Sequence, residues 1–304
     1  MPPSMRPARP SRRCCERRQG MSHPVWRYEN QMPPGREFAI FHSCHTAPQP
    51  LLYHSHDFYE IYFIMQGSVR VIVDEQDLTP VLGEALVYPP GCMHRVTHLT
   101  PAQTYERFYL YLSRDFLRLM SIPECDLTAR LEALSDGGRY CFRPGREKVL
   151  ELAAAADEII EAAKDTSPSA VLLNRCRMGM YLVELLEVLE KSVAPETGGV
   201  ACRMGELLRY INQNAQHPLT LDHLAEVFGI SKFSLLHEFK EHTGMSIYQY
   251  IITKRIAIAQ QLIRQGTKPN LACMQCGFTD YSSFYRAFKA RTGISPGQYG
   301  KTPQ

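Results

Sequence analysis

Hydrophobic and polar positions change their rhythm twice along the chain. From about Phe38 to Leu112 the apolar residues come in short β-branched and aromatic runs, IYFIM, VRVIVD and ALVYPP, separated by Gly67, Gly83, Pro89, Pro90 and Gly91. Short runs bounded by turn residues predict closely spaced strands, and therefore a β-sandwich or barrel. After Ser113 the strand signal stops and spacings of three and four take over, most clearly over residues 148–163 and 170–191. In the second of these, Leu172, Cys176, Met180, Val183, Leu186 and Leu189 form an apolar stripe. Such a stripe serves either a core or a dimerisation surface. The segment APETGG at 194–199 reads as a linker, and residues 203–300 return to helical spacing.

That last segment contains a duplication. FKEHTGMSIYQY at 239–250 recurs forty-nine residues later as FKARTGISPGQY at 288–299, with seven of twelve positions identical. Ahead of each copy stands a glycine, a hydrophobic residue and a helix-start signal, Gly229-Ile230-Ser231 and Gly277-Phe278-Thr279-Asp280. Ser231 and Asp280 are expected N-caps. Thr220 is expected to cap a short helix carrying Leu221, Leu224 and Ala225, so the order is short helix, glycine turn, second helix, which is the helix-turn-helix arrangement. Leu235, Phe239, Phe284 and Phe288 would anchor the second helices. Their opposite faces would carry Lys232, Phe233, Leu236, His237 and Lys240 in the first unit and Tyr281, Ser282, Tyr285, Arg286 and Lys289 in the second. A guanidinium such as that of Arg286 gives bidentate bonds to guanine, and apolar groups meet thymine methyls. Lys240 and Lys289 lie nearer the helix ends, where phosphate is the expected contact.

Charge supports this division. The net charge of +3 conceals twelve bases against six acids in residues 203–304, sixteen against twenty-four in 21–202, and six arginines against one glutamate in the first twenty. A basic C-terminal piece beside an acidic middle fits a polyanion-binding module joined to something else. The first twenty residues, rich in arginine and proline and nearly devoid of apolar content, are expected to be disordered. No apolar run is long enough to span a membrane, so no membrane partner is expected. Ten scattered cysteines fit reduced thiols and a cytoplasmic location. Cys273 and Cys276 form a Cys-x-x-Cys without a second ligand pair, which reads as helix packing.

The pieces GISKFSLLHEFKEHTGMSIYQYI, KRIAIAQQLI and GFTDYSSFYRAFKARTGISPGQY together resemble the AraC-type (AraC/XylS) regulators. The resemblance spans about 203–300. It implies DNA binding by the ten exposed residues named above, with Phe233, Leu236 and His237 at positions where that family often carries base-contacting side chains. One departure is KPNLACMQCGF, where Pro269 and Ala272 replace two large aliphatics of the second scaffold helix. Leu271 and Met274 are expected to supply the missing apolar surface in another register.

Upstream, His54-Ser55-His56-Asp57-Phe58-Tyr59-Glu60 and the later Pro89-Pro90-Gly91-Cys92-Met93-His94 have a spacing that resembles both cupin motifs. On an extended strand His54 and His56 share a side. The resemblance implies a barrel in which His54, His56, Glu60 and His94 surround one site, with His98 where the usual asparagine stands. Three imidazoles and a carboxylate suit a divalent Mn, Fe, Ni or Zn. AraC-type sensors often keep this pattern while binding a small organic effector, for which His54, His56, Glu60, Tyr62 and His94 are the expected contacts. Tyr53, Tyr59 and Tyr88 lie nearby.

The fold expected is α+β in two domains: an N-terminal cupin-like β-barrel with trailing helices, and a C-terminal all-α domain with two helix-turn-helix units. Its divisions are a basic arm and lead-in at 1–37, the effector-sensing barrel at 38–112, a helical dimerisation or packing region at 113–193, a linker at 194–202 and the DNA-binding domain at 203–300. The expected function is a sequence-specific transcription regulator and activator, not an enzyme, controlled by a small molecule such as a sugar in the barrel. No cofactor is required by that reading. The alternative is a metal-dependent cupin enzyme or metal sensor fused to a DNA-binding domain. Expected partners are double-stranded DNA, the effector, a second copy of the chain as a homodimer and, for an activator, RNA polymerase.

Overall fold

The short β-branched runs pair as antiparallel strands in two sheets. In the computed structural model the described residues are 32–33, 36–45, 53–74, 76–99, 104–192 and 203–301; the first twenty residues and the expected linker at 194–202 lie outside them. The larger sheet places β1 (Phe38–His45) beside β7 (Tyr105–Leu112), then β2 (Tyr59–Gln66), β5 (Ala85–Tyr88) and β8 (Cys141–Phe142). The smaller joins β4 (Gln76–Leu78), β3 (Val69–Val73) and β6 (His94–His98). Val69, Val71 and Val73 of the small sheet pack with Tyr62, Ile64, Leu86, Tyr88 and Tyr109 of the large one, which closes the β domain around an aromatic interior.

The other face of the large sheet is covered by helices. Phe63, Val87, Phe108 and Leu110 share a core with α1 (Arg114–Met120), α2 (Leu127–Ser135), α3 (Arg146–Ala162) and α4 (Pro168–Glu190). Two expectations need correction here. The strand signal does not end at Ser113, because β8 pairs Cys141 with Leu86 and Phe142 with Ala85 at the sheet edge. The apolar stripe of α4 also divides: Leu186 and Leu189 are buried in the core, whereas Leu172 and Met180 are 62% and 76% exposed. At 3.6 residues per turn, the steps of four to Met180 and the steps of three beyond it drift in opposite senses, which leaves Met180 and Leu189 about 180° apart around the axis.

The C-terminal domain consists of α5 (Arg203–Asn214), α6 (Leu221–Phe228), α7 (Lys232–Thr243), α8 (Ile247–Arg264), α9 (Pro269–Gln275), α10 (Tyr281–Thr292) and α11 (Pro296–Tyr299). The duplicated sequence encodes helix stops and restarts. Thr243 and Thr292 each donate to a carbonyl one turn back, of Phe239 at 2.7 Å and of Phe288 at 2.9 Å. Gly244 and Gly293 then adopt left-handed φ of 77° and 78°, which a side chain would strain. Ser246 with Gln249, and Ser295 with Gln298, form capping boxes that begin α8 and α11. Thr220, Ser231 and Asp280 cap α6, α7 and α10 through their side chains, and Gly229 makes the αL turn between α6 and α7.

Leu271 and Met274 do not fill the core of the second unit. With Pro269 at its first position, α9 turns Ala272 and Cys273 inward, joined by Cys276, and leaves Met274 72% exposed. Burial raises the Cys276 thiol to about 12, in keeping with a packing role and an inert sulfur.

Candidate DNA-binding faces and the four-donor site

The helix caps and buried anchors fix which sides of α7 and α10 face outward. Leu235 and Phe239 on α7, and Phe284 and Phe288 on α10, are fully buried. Lys232, Phe233, Leu236, His237 and Lys240 are then exposed on α7, as are Tyr281, Ser282, Tyr285, Arg286 and Lys289 on α10. Each member of the first set lies forty-nine residues before its counterpart in the second, so the duplication presents two equivalent faces. Phe233 is 81% exposed, and its ring stacks near-parallel to His237, with the centroids 6.3 Å apart. Large apolar groups held out into solvent mark a surface that is covered by a partner. Lys232 pairs with Asp222, and Arg286 lies 3.5 Å from the Ser283 hydroxyl. Between the faces runs α8, eighteen residues long.

In the β domain, His54, His56, Glu60 and His94 each offer a donor atom, and all four atoms lie within 4.8 Å of one another. His54 and His94 meet as an antiparallel bridge, each donating its backbone N–H to the other's carbonyl at 3.0 and 2.9 Å. Glu60 is the second residue of β2, two residues before Tyr62 on the same side of the strand. His98 lies at the far end of β6 against Tyr105 and is not among the four. Tyr62 and Tyr88 are buried beside the site; the Tyr88 ring stacks on His94 at 4.1 Å, and its buried hydroxyl has no hydrogen-bond partner among the described residues.

The proton inventory of this cluster leaves a place for a shared positive charge. His56 Nδ1 lies 2.8 Å from the Phe58 carbonyl and His94 Nδ1 lies 3.2 Å from the Cys92 carbonyl. A carbonyl only accepts, so each Nδ1 carries the proton, and a neutral ring then presents the Nε2 lone pair. Both Nε2 atoms face the same Glu60 oxygen, at 2.9 and 3.3 Å, an acceptor that either a second imidazole proton or a cation satisfies. Burial holds His94 below the usual imidazole range, against the pull of Glu60. Burial alone would raise Glu60, but the two histidines hold it well below the ordinary carboxylate range. Several converging acceptors with their Nδ1 protons anchored on backbone carbonyls are the outer-shell arrangement of metal-ligating histidines. The residues present fit a divalent cation.

The sequence signals did not reveal what lies behind this site. Tyr53, Ile72 and Met93 of the β domain are buried together with Leu207, Leu208, Ile211, Tyr250 and Ile251 of the helical domain. Asp57 accepts from Arg264 and Tyr299. Asp74, held at a left-handed φ of 44°, accepts from Tyr140 at 2.6 Å and Asn212 at 3.3 Å, with the Lys254 ammonium 3.7 Å away. Strain of this kind in a non-glycine residue persists where surrounding contacts enforce it. An acid beside histidines was visible in the sequence; its partners two hundred residues away were not.

Residues 44–178 match the AraC-like ligand binding domain family, and residues 224–302 match a helix-turn-helix domain family. The chain is 25% identical over 257 residues to the probable transcriptional regulator LumQ of Photobacterium leiognathi, covering 84% of this chain and 94% of that protein. It is 27% identical over 146 residues to the HTH-type transcriptional activator RhaR of Cronobacter sakazakii, covering 46% and 52% respectively. Among solved structures, ToxT from Vibrio cholerae O395 aligns with a TM-score of 0.36 at 14% identity, over 87% of this chain and 97% of that one. The DNA-binding domain of AdpA in complex with a target DNA aligns with a TM-score of 0.31 at 22% identity, over 33% and 90%. No helix among the described residues is long and apolar enough to cross a membrane.

Proposed function

Because the chain belongs to the AraC-type transcription regulators, with a ligand-binding domain and a helix-turn-helix DNA-binding domain, we propose that it is an activator that reads DNA with the paired faces of α7 and α10 and is governed by what fills the four-donor site. The observation that carries this reading is the convergence of His54, His56, Glu60 and His94, whose donor atoms lie within 4.8 Å of one another. A divalent cation suits that donor set better than a sugar hydroxyl, since the imidazole lone pairs and the carboxylate need a shared positive charge. When bound, the cation supplies that charge and a coordination position for a further ligand. The chain's own residues do the rest: Phe58 and Cys92 orient the imidazoles through their carbonyls, and the aromatic wall excludes water.

A small polar effector, a sugar among them, is the second reading, favoured by the buried Tyr88 hydroxyl beside His94, which has no hydrogen-bond partner among the described residues. The activator role is supported by the likeness to RhaR, an HTH-type transcriptional activator, and RNA polymerase is its natural partner. Homodimerisation is supported by the exposed apolar end of α4, where Leu172 and Met180 stand in solvent with Cys176 between them. The test is metal analysis of the purified full-length chain, paired with a sugar-library thermal-shift screen. About one metal per chain, absent after His54→Ala with His56→Ala, is expected; a metal-free protein stabilised by a sugar would replace the cation with an organic effector.

A further inference from the structure

The donors of the site and the residues that hold the DNA-binding domain alternate along the same three short segments. His54 follows Tyr53, whose ring lies 5.6 Å from that of Tyr250 on α8. His56 precedes Asp57, which accepts from Arg264 at the end of α8 and from Tyr299 of α11. His94 stands between Met93, buried with the helices of the first unit, and Arg95, whose guanidinium donates to the His242 carbonyl at 3.2 Å in the last turn of α7. Extended backbone sends successive side chains to opposite sides, so each segment points its histidine into the β domain and its neighbour into the helical domain. The segments are also tied to each other. The Gly91 N–H donates to the His56 carbonyl at 2.7 Å, and the Gly91 carbonyl accepts from Lys254 of α8 at 3.2 Å.

We infer that this shared backbone is a direct coupling device: filling the four-donor site tightens the docking of the β domain onto α7, α8 and α11, and thereby fixes the spacing of the two DNA-reading faces. The inference rests on the four-donor reading above. Its direction follows from reciprocity, because the donors lie within reach of one another in the docked arrangement. Docking therefore preassembles the site, and a cation that holds the donors together strengthens docking by the same factor. Docking does not act by covering the recognition faces, since Phe233, Tyr281 and Tyr285 remain exposed in the docked state. It grips the bridge between them, at Tyr250, Lys254 and Arg264 of α8, and the C-terminal end of the first recognition helix.

The test uses Co²⁺ as the probe on the full-length chain, comparing wild type with Asp57→Asn combined with Arg95→Ala. Neither residue is a donor. Arg130→Ala, which breaks an exposed pair with Glu190, is the control. Co²⁺ is expected to slow amide exchange in residues 247–264 of the wild type at least fivefold, and the double variant is expected to bind Co²⁺ at least fivefold more weakly, with no slowing in α8. Equal Co²⁺ affinity in the two proteins, or α8 exchange indifferent to bound Co²⁺, would overturn the coupling. A wild type that binds no Co²⁺ would instead overturn the cation reading. The coupling is then decided by Glu60→Ala without metal: faster exchange over 247–264 supports it and unchanged exchange rejects it. Arg95→Lys provides a milder variant if the double substitution does not fold.

Discussion

The two helix-turn-helix units are spelled by one repeated sequence, yet their cores are filled from different sources. In the first, Leu224, Leu235, Phe239 and Tyr250 pack with Tyr53, Ile72 and Met93, which belong to the β domain. In the second, Ile252, Ile256 and Ile263 of α8 pack with Ala272, Cys273, Cys276, Phe284 and Phe288, and no buried member of that cluster comes from the β domain. The repeat therefore fixes helix ends and outward faces, while the surroundings decide what each unit answers to. The first unit shares its interior with the β domain; the second is tied to it through Asp57 and Tyr299 at its edge.

The largest effects test this difference in the cores. Phe288→Ala should cost about 3–5 kcal/mol, with lost amide protection confined to α8–α11. Met93→Ala should cost about 2–5 kcal/mol and release protection in α5–α7 as well as in the β domain. A loss restricted to the β domain would show that the first unit does not depend on that domain for its core. Equilibrium denaturation with hydrogen exchange reads both.

The next effects concern DNA. Arg286→Ala should weaken binding to a sequence selected from a random duplex pool by about 1–3 kcal/mol and relax preference at one base position. His237→Ala, at the equivalent place on α7, should cost less, because its imidazole lacks the fork of a guanidinium. An unchanged preference after Arg286→Ala would assign base reading to the first unit alone. Lys240→Ala and Lys289→Ala should each reduce the slope of log affinity against log salt by about 1; no change in slope would remove that lysine from phosphate contact. The smallest effect belongs to α9: Leu271→Ala and Met274→Ala should each stay within about 0.5 kcal/mol of wild-type stability. A larger loss in urea denaturation would mean that these exposed side chains pack against something.

The parts legible in the sequence were those encoded locally. Capping by Thr220, Ser231 and Asp280, the left-handed turn at Gly229 and the buried phenylalanines follow from residue type and spacing, and the outward faces follow from those anchors. The histidine cluster was legible through the resemblance of its spacing to the cupin motifs. Pairing over long distances was not. The two-residue strand at Cys141–Phe142 exists only because Ala85 and Leu86 offer an edge, and Leu271 and Met274 were misplaced because Pro269 sets the register of a seven-residue helix. Asp57 and Arg95 carry no local signal for their roles, since each is defined by a partner in the other domain.

The measurement that tests the account most directly is the affinity of the full-length chain for its selected duplex with Zn²⁺ and after chelation, repeated with His56→Ala combined with His94→Ala. The account predicts a change of at least fivefold between the two conditions in the wild type and none in the variant, with DNA binding itself retained. Equal affinity in the wild type under both conditions would contradict control of DNA binding by the four-donor site.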